Sequence, residues 1–222
     1  APPPTGTLLT GLRHALDTAW KHEFPNHPDL GAEEISTRRL ADALELVTAT
    51  IEAGGRRQGL GAAEQKLARE VVVPLRLGAL NENVVVVDAA HFGWAADFAR
   101  WEGELGAGIT IGGLRSKLRD WGMTAPMENA VLLTWAMLGN WDFVGVDQPN
   151  LQSLPDAAAA RKANLPTSED WELAKTRAGG VFGVSPESHL TPRAVARFAA
   201  AVRGKVAASA VADLVAQLEE IG

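Results

Sequence analysis

The sequence predicts a mainly α, multi-helical chain with a winged-helix-like middle region that carries a small β-hairpin. Apolar residues recur at the three- and four-residue spacing of amphipathic helices over most of its length. The runs that read as strands are few and short, with "NVVVVD" at 83–88 and "DFVGVD" at 142–147 the clearest. Between residues 59 and 166 the order is helix, strand, helix, short strand, helix, tight turn, helix, strand, loop, strand. That is the order of a winged helix-turn-helix, with the turn at "WGMT" and the wing between Asp142 and Pro166.

Residues 1–6, "APPPTG", are Pro-rich and lack an initiator Met, so they read as an extended or disordered start to an excised piece. The first helix is expected from Thr7 to Phe24. Leu8, Leu9, Leu12, Leu16, Ala19 and Trp20 share one face, and Pro25 ends it. Ser36 or Thr37 caps a second helix to about Ala53, with Leu40, Leu44, Val47 and Ile51 as its stripe. "AGGRRQGLG" then breaks the chain and marks a domain boundary near residue 58.

A third helix is expected over Ala62–Leu77. The helix after "NVVVVD" puts His91, Trp94, Phe98 and Trp101 on one stripe. Thr110 caps a helix to Trp121, and an apolar helix runs from Pro126 to about Leu138. "AAAARKANLP" returns as the second hairpin strand. Ser168 caps another helix, with Glu169 and Asp170 favouring its positive end. Thr191 and Pro192 open the last helices, with a break at Gly204. The expected organisation is an N-terminal helical segment (1–58), the winged-helix-like domain (59–166) and a C-terminal helical segment (167–222).

Composition narrows the function classes. The 222 residues suffice for a core without staples, and the absence of cysteine excludes disulfides, thiolate metal sites and cysteine nucleophiles. The formal net charge of -6 argues against a dedicated nucleic-acid binder, which is usually basic. No apolar run reaches the ~18 residues of a membrane span. A cytoplasmic location fits these features.

Candidate chemistry is imitated rather than assembled. "VVVVD" has the look of an ATPase strand that delivers Asp88 towards magnesium, yet no Gly-rich phosphate loop accompanies it; "RGKV" at 203–206 lacks the glycine spacing and the hydroxyl. The competing reading is a buried strand whose Asp caps the next element. His22, Glu23 and His27 suggest zinc, but the histidines are five apart with Pro25 between them, and a catalytic zinc needs three convergent ligands. Ser185 in "GVSPES" lacks the second glycine of a nucleophile turn. The aromatic stripes, and Trp121, Trp135 and Trp141, read as core whose indole N–H groups need acceptors. These readings name no catalytic, metal or cofactor-binding residue.

A winged helix invites a test for DNA binding. The helix that would enter the groove, "APMENAVLLTWAML", has no Arg or Lys and is better explained as buried or as a docking surface. The cations available for phosphate are Arg115, Lys117 and Arg119 on the preceding helix, Arg161 and Lys162 in the wing, and Arg56 and Arg57.

Three segments carry a resemblance. "ITIGGLRSKLRDWGMTAPMENAVLLTWAMLGNWDFV" (109–144), "LPTSEDWELAKTRAGGVFGV" (165–184) and "LTPRAVARFAAAVRGKV" (190–206) resemble the C-terminal region of PglY-type phage-resistance proteins. These are large bacterial P-loop ATPases of the phage growth limitation and BREX defence systems. The resemblance implies that the ATP-binding motifs lie outside this fragment. It makes the fragment a non-catalytic accessory region that contacts other domains of the parent ATPase or other defence proteins. The alternative is a DNA-binding winged helix on the phosphate backbone.

Overall fold

The computed structural model describes residues 7–30, 35–146, 149–184 and 189–208. Helix α1 (Leu8–Glu23) starts where the Thr7 hydroxyl accepts from the Thr10 amide, and ends two residues before Pro25. It buries none of its residues, so the apolar face read from sequence is present but uncovered. Among the described residues, the root of α1 is where it meets the body. The Phe24 ring closes on Gly122, His27 Nδ1 is 2.9 Å from the Trp121 carbonyl, and Pro28 is buried.

Helix α2 (Thr37–Glu52) is capped by Ser36 and buries Leu40, Ala43, Leu46, Val47, Thr48 and Thr50. At its end Gly54 and Gly55 take positive φ, a conformation glycine adopts without a Cβ penalty. They turn the chain inward, and strand β1 (Arg56–Arg57) pairs with residues 85–86. The break at "AGGRRQGLG" is therefore a sheet turn. The core runs continuously from Leu40 to Ala160, across residue 58.

Helix α3 (Ala62–Leu67) widens into one π-helical turn (Ala68–Val72) and stops, short of the expected Leu77. Pro74 gives the reason: it has no N–H to donate, and its ring crowds the carbonyl four residues back. Strands β2 (Ala79–Asn81) and β3 (Val84–Val86) then form an antiparallel sheet with β1 in the order β1-β3-β2. Sequence reading found only the middle strand.

Helix α4 spans Ala95–Leu105. Phe98 and Trp101 are buried in it and Trp94 in the turn before it, as a core stripe requires, but His91 is exposed outside the helix. Asp88 explains the late start. Its Oδ1 accepts from the Ala90 and His91 amides and lies 2.8 Å from His91 Nδ1, closing a turn where a helix was expected. Helix α5 (Ile111–Leu118) begins at Thr110, whose hydroxyl accepts from the Gly113 amide.

A 3-10 turn (Arg119–Trp121) and Gly122 then lead to helix α6 (Ala125–Gly139). Gly122 sits at φ +62, and a Cβ there would lie 2.5 Å from the Phe24 ring. Every residue of α6 from Met127 to Ala136 is buried, so this helix is the axis of the core. Helix α2 packs along it.

Strands β4 (Trp141–Val144) and β5 (Ala159–Lys162) form the expected hairpin, pairing Trp141 with Lys162 and Asp142 with Arg161. Thr110 adds a bridge to Ala159, tying the start of α5 to the hairpin. Helix α7 (Ser168–Phe182) is capped by Thr167, one residue before the expected Ser168. Helix α8 (Pro192–Ala208) continues through Gly204 without a break. The two helices pack through Trp171 and Phe198, in edge contact at 5.2 Å. The chain is mainly α with small antiparallel sheets. Among the described residues, no helix is long and apolar enough to cross a membrane.

Candidate functional site

Arg115 is the most heavily bonded side chain of the middle region. It leaves α5 and enters the space beneath the 149–158 loop, where its guanidinium donates to Asp156, to Asn129 Oδ1 and to the Leu154 carbonyl. Its Nε lies 3.3 Å from Glu128 Oε2. Asn129 completes the clasp by donating to the Leu151 carbonyl at 2.8 Å, and the Gly112 amide donates to the Asp156 carbonyl. A planar guanidinium supplies several donors in fixed directions, which suits holding one loop against two helices.

Burial pushes the Glu128 carboxyl above its usual range. Arg115 pulls it down, and Asp156 adds to the rise. An acid with a raised folded-state pKa favours folding most below its ordinary value, 4.5, and loses that contribution as pH climbs through the raised value. Unfolding midpoints in urea should therefore carry a component that falls with rising pH above about 4.5. Glu128→Gln should remove that component, and an unchanged pH profile in the variant would contradict the assignment.

The other candidate cations are also mostly engaged. Lys117 Nζ is 2.6 Å from Glu104, which holds the Glu104 carboxyl below its ordinary value. Lys162 stacks on the Trp141 ring at 4.1 Å and donates to the Gly139 carbonyl. Arg57 pairs with Glu64. Arg119 and Arg161 are exposed, and Arg161 stands opposite Asp142 in the hairpin. The helix expected to enter a DNA groove is buried, as its lack of cations led us to expect.

Asp88 closes its turn, and the His91 hydrogen bond holds its carboxyl below the ordinary value. His27 is bound to the Trp121 carbonyl, and His22 is exposed at the end of α1. Among the described residues, no three His, Asp or Glu side chains gather as a metal would need. Ser185 lies outside the described residues.

One concave surface was not read from the sequence. A groove of about 1090 Å³ runs along α2, over the C-terminal part of α6 and β4, and under the start of α8. Leu44, Ile51, Met137, Phe143 and Ala196 give it an apolar lining. One end is closed by Glu52, which meets Arg197 at 3.1 Å and Arg193 at 3.9 Å and so joins α8 to α2. Its walls come from three separate stretches of chain, within 37–52, 133–152 and 191–200, so no local pattern marks it.

The fold defines a mainly helical region with small antiparallel sheets. Residues 38–136 match the family model described as the BREX System ATPase PglY protein 5th domain, and residues 175–221 match the 6th domain of the same protein. The chain belongs to the PglY family of BREX-system proteins, as a region spanning these two domains. No solved structure matches the chain.

Proposed function

We propose that this region is a non-catalytic interaction module of a PglY-type phage-defence ATPase, acting in the cytoplasm and docking other domains of the parent protein or other BREX components. The observation that carries the reading is the groove between α2, the hairpin and α8. It joins the parts matched by the two family models, and clefts between domains are the preferred seats of partners. The reading is supported by the roles of Asp88, His27 and Arg115, each of which holds backbone in place.

Over residues 95–162, within the 59–166 region, helices α4, α5 and α6 precede the β4–β5 hairpin, and Thr110 bridges to that hairpin. We read them as a winged-helix arrangement whose usual DNA-reading helix is turned into the core. In that arrangement Arg119 and Arg161 are the exposed members of the candidate phosphate-binding set.

The purified chain is expected to show no ATP turnover above a blank and no shift of a labelled duplex at low salt. Turnover that survives repurification would overturn the non-catalytic reading. A salt-dependent shift lost in Arg119→Ala with Arg161→Ala would favour the DNA reading.

A further inference from the structure

Two features of this chain are left over from the fold, and they fit each other. The first is α1. Leu8, Leu12, Leu16 and Trp20 recur every four residues, and they are 91%, 55%, 62% and 46% exposed. Recurrence at that step puts them on one stripe of the helix, about 18 Å long. Isolated exposed leucines need no explanation, but a contiguous apolar stripe marks an interaction surface.

The second is the groove. Its α2 wall runs from Thr37 to Glu52, about 22 Å, which accommodates the stripe. With α2 and α8 as walls it is a trough of the helix-in-groove kind. Charge agrees as well. Glu45 and Asp142 on the groove wall are in no ion pair with the described residues, and neither is Arg13, which flanks the stripe on α1.

A chain does not fill its own groove in the observed arrangement. Phe24 and His27 root α1 on the Trp121–Gly122 turn, before the N-terminal end of α6. The groove uses Leu133, Ala136 and Met137 near the other end of that helix, about 18 Å away.

We propose that α1 of one copy docks in the α2–α8 groove of a second copy. The contact is heterologous: each copy offers a helix to one neighbour and a groove to another, so association adds copies head to tail. The pairing does not depend on the chain being non-catalytic.

The test uses the 222-residue chain and two variants altered only at exposed positions. Leu12→Asp with Leu16→Asp disables the helix, and Ala41→Arg with Glu45→Lys disables the groove wall. Circular dichroism melts confirm that both fold. In sedimentation velocity the unaltered chain should grow beyond a dimer as concentration rises, and each variant alone should stay monomeric. An equimolar mixture should stop at one-to-one dimers, because the helix of the groove variant enters the groove of the helix variant and nothing further can add. A labelled peptide of residues 7–24 should bind the helix variant and bind the groove variant at least about tenfold more weakly. Three results would overturn the proposal: an unaltered chain that stays monomeric, a mixture that stays monomeric while the unaltered chain associates, or a peptide that binds both variants equally. Self-association of the groove variant, whose α1 is intact, would overturn it too and would assign the association to paired α1 helices.

Discussion

Arg115→Met should lower the unfolding free energy by about 3–5 kcal/mol, the range seen when one partner of a buried ion pair is removed. The Arg115 side chain is 19% exposed and that of Glu128 11%, so the carboxylate left behind cannot recover full hydration. Asn129 Oδ1 and the Leu154 carbonyl lose their donor at the same time. Glu128 then keeps the burial and the Asp156 charge that raise its pKa and loses the cation that lowers it most, so the loss should be larger at neutral pH than at pH ~4. Arg115→Lys should recover only part of the difference, since an ammonium is a single point of charge and cannot serve several acceptors in one plane. Urea unfolding monitored by tryptophan fluorescence measures both. A loss below about 1 kcal/mol would place the clasp among solvated surface pairs.

The clasp also shows where sequence reading stops. That α6 would be buried was legible, because a helix of such uniform apolarity has no solvent face. The polar pair inside it, Glu128 and Asn129, was not singled out, although buried polar groups must be partnered, and neither was its partner. Arg115 lies fourteen residues from Asn129 and forty-one from Asp156, and it reads as one cation of a basic helix until the loop is folded over it. Arg115, Lys117 and Lys162 share that feature: each charge is engaged by a group that only tertiary structure supplies.

Element boundaries divide along the same physical line. Caps and breakers act within a few residues, so Thr7, Ser36, Thr110 and Pro25 set their helix ends as expected. Strands β1 and β2 were missed because two or three residues carry no period, and their identity comes from pairing with β3. His91 was drawn into a helical stripe because the spacing from His91 to Trp94 is helical. The Asp88 side chain overrides that spacing by bonding amides two and three residues ahead, a competition that short polar side chains often win. The groove is the extreme case, since α2, β4 and α8 each look complete alone.

Trp94→Ala should cost about 3–5 kcal/mol, as large aromatic truncations in a core do. Trp94 is wholly buried and donates to the Leu75 carbonyl at 2.8 Å. It meets Trp121 edge-on at 4.4 Å, and the Arg76 guanidinium lies 4.8 Å from its centroid and 5.3 Å from that of Trp121. Trp94→Phe separates the contributions. It keeps much of the ring packing but leaves the Leu75 carbonyl unpaired in the core, an omission worth about 1–3 kcal/mol. The alanine variant should also act at a distance. Trp121 is the residue whose carbonyl holds His27, and Gly122 beside it receives Phe24, so a loosened Trp121 frees the root of α1. Hydrogen exchange at residues 24–30 should then accelerate in Trp94→Ala, beyond what global destabilisation brings to amides of the α2 core. Equal acceleration everywhere would mean that the anchor of α1 does not run through the Trp94–Trp121 contact.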